Sequence, residues 1–205
     1  MVAGLVAVIA GGSSGADAAA RVGRDGFDVT SGMIRALPDE RLGIDVPEVR
    51  AVLRHSTAPA AEIRFRYLGP TAATKLLASG EARRQIGLKL RARDTCNVIY
   101  VMWHIEPDER IAVSIKRNAG QSTHAECAAR GYVNLRPRRS GPVRAVRVGS
   151  SHTLRAVLEG GELTVWADGT LAWEGSLPSN LVDFDGPVGL RTDNVAVELE
   201  YFVGA

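Results

Sequence analysis

The chain has 205 residues, a formal net charge of +2 at neutral pH and 45% hydrophobic residues. This composition supplies enough apolar side chains for a packed core of the size of a β-sandwich. The near-neutral charge argues against a general nucleic-acid-binding protein, and no run of about eighteen apolar residues predicts a transmembrane segment.

The first twenty residues have the composition of a secretory leader. An apolar run from Val2 to Ala10 is followed by small residues, and Ala16-Asp17-Ala18 has the shape of a cleavage site. We therefore predict a leader over residues 1–20, a single β-sandwich domain over residues 21–205 and a secreted or periplasmic location. A first core strand followed by a glycine-rich loop is the alternative. A dinucleotide site is not expected there, because no βαβ unit follows.

Alternating polar and apolar residues predict strands in the first third of the chain. In residues 62–68, Ile63, Phe65 and Tyr67 are expected to face the core, while Arg64 and Arg66 face outward. Residues 48–54 follow the same pattern, and residues 71–82 are expected to form a loop with little helix.

Three consecutive strands between Arg83 and Asn118 carry the polar residues that point to a binding site. The segment 94–97 has the length and composition of a hairpin loop, which pairs Arg93 with Val98, Arg91 with Tyr100 and Lys89 with Met102. Trp103 then faces the core. The opposite face gathers a set of polar side chains: Gln85, Lys89, Arg91, Arg93, Tyr100, His104, Lys116 and Asn118.

This polar face has two interpretations. The first is the solvated outer surface of an antiparallel sheet, where Lys and Arg are common. The second is a site for an anionic partner, since basic residues recur at every second position with almost no acid nearby and like charges repel along and across strands.

Cys96 and Cys127 are the two cysteines of the chain. The order of strands brings both to one end of the sheet, so we predict a disulfide between them. The alternative is a metal site formed by Cys96, Cys127 and His124, although the spacing matches no strong zinc pattern.

The last sixty residues contain short strands with turns at regular spacing, which predicts an all-β, antiparallel sandwich. The predicted strands run Ser151 to Leu158, Leu163 to Ala167, Thr170 to Gly175, Asp185 to Arg191 and Val195 to Val203, and Asp168-Gly169 is a hairpin turn. They contain, in order, the motifs at 152–156, 163–169, 171–175, 186–194 and 198–202. This order over residues 144–203 resembles the C-terminal half of the concanavalin A-like lectin/glucanase jelly rolls. The resemblance implies a jelly-roll fold and a glycan, bound on the central strands of the concave sheet.

The residues favour some reactions over others. The Glu-x-Asp-x-x-Glu strand of the retaining glucanases of this superfamily is missing, which argues against retaining glycoside hydrolysis. A polysaccharide lyase needs cations for the substrate carboxylate, with an acid and a base. Arg91 and Arg93 are the candidates for binding the substrate carboxylate, and Gln85 or Asn118 could assist them. Tyr100 and His104 are candidate acid and base, but they lie roughly 13 Å apart on one strand.

His124 is the alternative partner of Tyr100 in a lyase reaction. The signatures of alginate-type lyases do not occur in order, so the chain is predicted first as a noncatalytic binder of an acidic polysaccharide and second as a uronate lyase. A structural protein without glycan is the third possibility. No cofactor is required, although the side-chain oxygens of Asp168, Asp185, Asp193 and Asn194 are candidate calcium ligands. His152 is expected to be an ordinary strand-edge residue.

Overall fold

The computed structural model describes residues 19–204, which form two antiparallel β-sheets packed face to face. The strands in chain order are β1 (Ala20–Val22), β2 (Phe27–Ser31), β3 (Arg35–Ala36), β4 (Leu42–Ile44), β5 (Glu48–Leu53), β6 (Ala60–Pro70), β7 (Arg84–Leu90), β8 (Val98–Glu106), β9 (Arg110–Lys116), β10 (Tyr132–Asn134), β11 (Arg139–Ser140), β12 (Ser151–Glu159), β13 (Glu162–Ala167), β14 (Thr170–Ser176), β15 (Gly189–Asp193) and β16 (Val195–Val203). A 3-10 turn spans Arg24–Gly26, and a short helix, α1, spans His124–Cys127.

One sheet has nine strands and the other has seven. The nine-stranded sheet runs β11-β14-β13-β12-β6-β16-β4-β3, and β1 also pairs with β16. The seven-stranded sheet runs β10-β9-β8-β7-β15-β5-β2. The all-β antiparallel sandwich predicted from the sequence is therefore confirmed. The predicted leader lies almost entirely in residues 1–18, outside the described residues.

The core lies between the inner faces of the two sheets. Ile63, Phe65 and Tyr67 of β6 are buried while Arg64 and Arg66 are exposed, as their alternation predicts. Trp103 is fully buried, and its ring packs edge-on against Phe65 with centroids 5.9 Å apart. Both sheets thus contribute aromatic side chains to one continuous core.

His152 is a core residue, and its expected position at a strand edge is wrong. Its ring packs against Phe65 and Trp103, and its two nitrogens are hydrogen-bonded to Ser150 and Asp168. The Asp168 side chain also accepts a bond from the backbone of Thr153. A buried histidine is tolerated here because both of its nitrogens have partners.

The predicted register between β7 and β8 is wrong by two residues. Lys89 pairs with Tyr100, Gly87 with Met102 and Gln85 with His104. Strand β7 ends at Leu90 because the next residue, Arg91, has φ of 45° and the chain leaves the sheet there. A shift of an even number of residues keeps every side chain on its predicted face.

The disulfide between Cys96 and Cys127 is present, with the Cα atoms 5.8 Å apart. It joins the loop after β7 to helix α1. Both sulfur atoms are used in this bond, so the alternative metal site through Cys96, Cys127 and His124 has no free thiolate. In the part of the chain that the structure describes, no helix has the length and apolarity needed to cross a membrane.

Candidate functional site

The candidate site is the outer face of the seven-stranded sheet, which we call the central face. Strand alternation places on it the residues Glu48, Arg50, Val52, Gln85, Gly87, Lys89, Tyr100, Met102, His104, Ser114, Lys116, Tyr132, Gly189, Arg191 and Asp193. Most of these side chains are buried although they do not face the core. Tyr100 and Met102 pack with Ala92, Val98 and Val52 into a second, smaller apolar cluster.

A buried charge network occupies one half of the central face. The Asp193 carboxylate accepts hydrogen bonds from Arg50 Nη2 at 2.6 Å, Gln85 Nε2 at 2.6 Å and Arg191 Nε at 2.9 Å. Burial raises the pKa of Asp193, but Arg191, Arg50 and Gln85 together hold it below its ordinary value. Asp193 is therefore an anion that neutralises arginine charge. Three donors bond to its two oxygens, and its role as a calcium ligand stays a prediction.

Asp168 and Asn194, two of the other predicted calcium ligands, bond to protein groups of their own. Asp168 lies in the turn between β13 and β14 of the opposite sheet, bonded to His152. The Asn194 side chain holds the backbone of Lys75 and Arg83. Among residues 19–204 no cluster of three or more His, Cys, Asp or Glu side chains is arranged to hold a metal ion.

Aromatic rings cover the centre of the central face. The Arg191 guanidinium lies over the Tyr100 ring at 4.8 Å, and Tyr132 of the edge strand β10 stacks on Tyr100 with centroids 6.1 Å apart. Burial raises the pKa of Tyr100, and Tyr132 adds to that shift. The Tyr100 hydroxyl is therefore protonated at neutral pH, whereas Tyr132 keeps 43% of its surface exposed to solvent.

Lys89 is the unusual cation of this face. Its side chain is buried, with 5% of the residue exposed, and among the described residues its ammonium makes no hydrogen bond or ion pair. Burial, together with the nearby charges of Arg50 and Arg191, lowers the pKa of Lys89 to about 7. The Lys89 Nζ is not among the fully buried polar atoms that lack a partner, so it keeps some contact with solvent and an anion from outside the chain can reach it. Burial of most of the side chain makes such an acceptor favourable.

Gln85 and His104 lie next to each other at the end of the face. The Gln85 amide donates to Asp193, but its Oε1 atom is buried without a hydrogen-bond partner in the described structure. Burial lowers the pKa of His104 to about 3, and Arg83, Arg110 and Arg191 contribute to this shift. His104 is thus uncharged at neutral pH and suits hydrogen bonding better than proton transfer.

Arg91 and Arg93 do not lie on the central face, which corrects their predicted position. Both belong to the loop after β7, where Asp94 Oδ1 accepts hydrogen bonds from the backbone of Cys96 and Asn97. The Arg93 backbone N–H bonds to Asn97 O and closes this loop. The Asp94 turn lengthens the loop, and the two arginines therefore leave the strand.

Lys116 is on the central face, but its ammonium supports a loop. It donates to the carbonyls of Thr95 and Ala128 and contacts Cys127 Sγ at 3.2 Å. Asn118 lies beyond the end of β9 and holds Cys96 O and Arg130 O. His124 is exposed at the start of α1, beside the disulfide. These three side chains border the site at its disulfide end.

Sequence reasoning missed Arg50, Arg191 and the role of Asp193. The alternation of residues 48–54 placed Arg50 on an outward face, and this pattern could have identified it as a residue of the polar face. Nothing in the sequence indicated that β15 lies between β5 and β7, because these pairings join segments far apart in the chain.

Comparison with known proteins places the fold in a recognised class. No family model matches the chain, and no curated protein sequence matches it either. Among solved structures it is similar to carbohydrate-binding module CBM66 from Bacillus subtilis, with a TM-score of 0.57, 12% identity and coverage of 85% of this chain and 91% of that one. The chain thus shares the jelly-roll sandwich fold of this module, which is the fold that the C-terminal strands predicted.

Two further solved structures share this fold. The carbohydrate recognition domain of Emp46p has a TM-score of 0.51 and 11% identity, with coverage of 88% of this chain and 89% of that one. The Crh5 transglycosylase has a TM-score of 0.50 and 13% identity, with coverage of 93% and 85%. At these identities the likeness defines the fold and leaves the function to the site.

Proposed function

We propose that the protein binds carbohydrate and that its central face recognises the carboxylate groups of an acidic polysaccharide. The observation that carries this proposal is the largely buried Lys89 side chain, whose ammonium has no acceptor among the described residues. A ligand carboxylate would supply that acceptor in a site already shielded from water, where charge-assisted hydrogen bonds are strong.

The charge balance of the face supports an anionic ligand. Asp193 is bonded to both Arg50 and Arg191, and Glu48 is paired with Arg50 and Lys75. The two carboxylates of the face are thus already neutralised by neighbouring cations. Lys89 remains as the charge that an incoming anion would balance.

The neighbouring rings suit the rest of a sugar. Tyr132 is partly exposed and stacked on Tyr100, which gives the face an aromatic surface beside Lys89. Aromatic rings with a polar edge bind ligands that combine apolar faces with hydroxyl groups. The carbohydrate-binding module and the carbohydrate recognition domain among the structural neighbours bind sugars by name, which supports the same class of ligand.

Cleavage of a uronic-acid polymer is the second candidate, with Tyr100, His104 and His124 as its possible acid and base. The geometry favours binding over this reaction. Tyr100 has a raised pKa and is capped by Arg191, while His104 has its pKa lowered to about 3, so neither is poised for proton transfer near neutral pH. The disulfide and a polysaccharide ligand together suit a secreted or periplasmic protein.

Isothermal titration with alginate, pectate, glucuronan and glycosaminoglycan fragments tests the proposal. We expect at least one acidic fragment to bind, with an affinity that falls as salt is raised. Lys89→Met should weaken this binding by about tenfold or more. Arg35→Met is the control, since Arg35 is an exposed cation of the opposite sheet, and it should change the affinity by less than about twofold.

Two results would count against binding through Lys89. One is a folded wild-type protein that binds none of the acidic fragments, and the other is unchanged affinity in Lys89→Met. Absorbance at the unsaturated-uronate band, followed in the same mixtures, tests the lyase alternative. A rise that disappears in Tyr100→Phe, with binding retained, would establish cleavage.

A further inference from the structure

A second depression lies on the opposite side of the sandwich, on the outer face of the nine-stranded sheet. It has a volume of about 230 Å³ and is lined by Glu62, Thr153, Arg155, Trp166 and Gly169. These residues come from β6, β12, β13 and the turn between β13 and β14. The hydrophobic core separates this depression from the central face, so the two share no residue.

Trp166 is the tryptophan that reaches solvent. The chain has three tryptophans, and Trp103 and Trp173 are buried while Trp166 is half-buried. The register between β13 and β14 shifts between Val165 and Trp166, so that Trp166 lies opposite Leu171. The extra residue of this irregularity is Ala172 of β14, whereas the alternation of β13 is unbroken. Trp166 therefore stays on the outer face between buried Val165 and Ala167, and its indole borders the depression.

The polar groups around the indole are mixed in charge. Glu62 Oε1 accepts a hydrogen bond from Arg64 Nε at 2.6 Å, and the Arg155 guanidinium lies 5.3 Å from the Trp166 ring centroid. Thr153 adds a hydroxyl on the same wall. Carboxylate, guanidinium and hydroxyl groups together offer both acceptors and donors without the excess of cations that marks the central face.

We propose that this depression is a second binding site, and that its ligand is a neutral sugar ring of an oligosaccharide. The ring packs against the exposed part of Trp166, and its hydroxyls bond to Glu62 and Thr153. The volume is below the roughly 300–1,000 Å³ of pockets for drug-sized ligands, which suits a single ring of a chain that continues into solvent. This site and the central face are proposed to bind the same class of ligand, carbohydrate. Binding at one site does not require a ligand at the other.

Tryptophan fluorescence titration with neutral oligosaccharides of glucose, xylose, mannose and arabinose is the experiment. The signal is specific, because the other two indoles are buried. We expect one of these sugars to shift the emission and to protect one tryptophan from oxidation by N-bromosuccinimide. Trp166→Ala should weaken binding of that sugar, measured by calorimetry, by roughly tenfold or more.

Phe202→Ala is the matched control. Phe202 lies on the same outer face under Arg64, whose guanidinium carbon is 4.4 Å from the ring centroid, but it does not line the depression. Neutral-sugar affinity should be retained in Phe202→Ala and in Lys89→Met. Trp166→Tyr keeps an aromatic ring in the strand and is the second variant if Trp166→Ala does not fold. It should weaken binding of the neutral sugar and leave binding of acidic fragments unchanged.

Three outcomes would overturn the proposal. They are no neutral-sugar binding by the folded protein, binding that is unchanged in the Trp166 variants, and binding that is lost in Lys89→Met instead. The last result would move the neutral sugar to the central face. If acidic fragments do not bind but a neutral sugar still binds through Trp166, only the function proposed for the central face is rejected.

Discussion

The guanidinium carbon of Arg191 lies 4.8 Å from the ring centroid of Tyr100, and this contact ties β15 to β8 across the intervening strand β7. Gly87 makes the contact possible. It lies opposite both Arg191 and Met102, and a Cβ atom there would come within 2.7 Å of Met102 Sδ and 2.1 Å of Val101 O. The missing side chain leaves room for the arginine to extend over the sheet.

Asp193 is expected to be a main determinant of stability on this face. Asp193→Ala leaves Arg50 and Arg191 without their shared carboxylate in a buried position, which should lower the free energy of unfolding by about 3–5 kcal/mol. Asp28→Ala is the control, because it breaks an exposed ion pair with Arg54 and should cost at most about 1 kcal/mol. Urea unfolding of both variants checks this, and equal losses would contradict it.

Lys89 is expected to make the free energy of unfolding increase with pH in the alkaline range. Its folded pKa of about 7 lies below the value of about 10.4 for an unfolded lysine, so the unfolded chain binds more protons between these values. The free energy of unfolding of the wild type relative to Lys89→Met should therefore rise as pH increases from 7 to about 10.4. The total change should be on the order of 3–5 kcal/mol.

Chemical denaturation of both proteins across this pH range measures the Lys89 contribution. Below pH 7 the difference between them should be constant, since Lys89 is then charged in both the folded and the unfolded state. A difference that does not vary between pH 7 and 10.4 would show that the Lys89 ammonium is solvated or paired.

The disulfide should stabilise the loops at one end of the central face. Cys96 and Cys127 are separated by 31 positions, and closure of such a loop contributes about 3–4 kcal/mol in the chain-entropy model. Reductant should therefore lower the melting temperature of the wild type by roughly 10 °C. The double variant Cys96→Ala/Cys127→Ala should melt at the lower temperature with or without reductant, and a further shift on reduction would contradict this source of stability.

Asn194 should control the loop between β6 and β7. Its side chain accepts a hydrogen bond from the Lys75 N–H at 2.7 Å and donates to Lys75 O at 2.9 Å and Arg83 O at 3.0 Å, and its φ is 54°. Asn194→Ala removes these bonds and puts alanine, which adopts the left-handed region less readily than asparagine, at a positive φ, so we expect a loss of about 2–3 kcal/mol. Trypsin should then cleave at Lys75 faster than in the wild type.

Asn194→Gly separates the two effects of the Asn194 substitution. Glycine relieves the backbone cost of a positive φ but makes none of the three hydrogen bonds, so its stability loss should be smaller while the faster cleavage remains. A cleavage rate equal to that of the wild type in both variants would indicate that the side chain does not hold the loop.

The alternation of apolar residues was enough to predict the sandwich and one face of its central strands. Lys89, Tyr100 and His104 lie on the predicted face even though the register was wrong, because the error was an even number of residues. Arg91 and Arg93 were misplaced because the end of β7 depends on an αL residue and on the Asp94 turn, neither of which alternation reveals.

The remaining parts of the site depend on contacts between distant segments. Arg191 and Asp193 reach Gln85 and Tyr100 because β15 pairs with β7, about a hundred positions earlier in the chain, and no local pattern encodes that pairing. The function of Lys116 likewise depends on where Thr95 and Ala128 lie after the disulfide loop has folded.

The position of β15 between β5 and β7 also determines when the seven-stranded sheet can be completed. The N-terminal strands β2 and β5 can pair with each other, and β7 to β10 can form a meander, but the two groups join only through residues 189–193. During synthesis the edges of both groups therefore stay unpaired until residues 189–193 are made. Such non-local pairing places refolding in the slow range of milliseconds to seconds. Arg191 and Asp193 reach Lys89 and Gln85 only when β15 inserts, so a partly folded chain would lack the charge network of the central face.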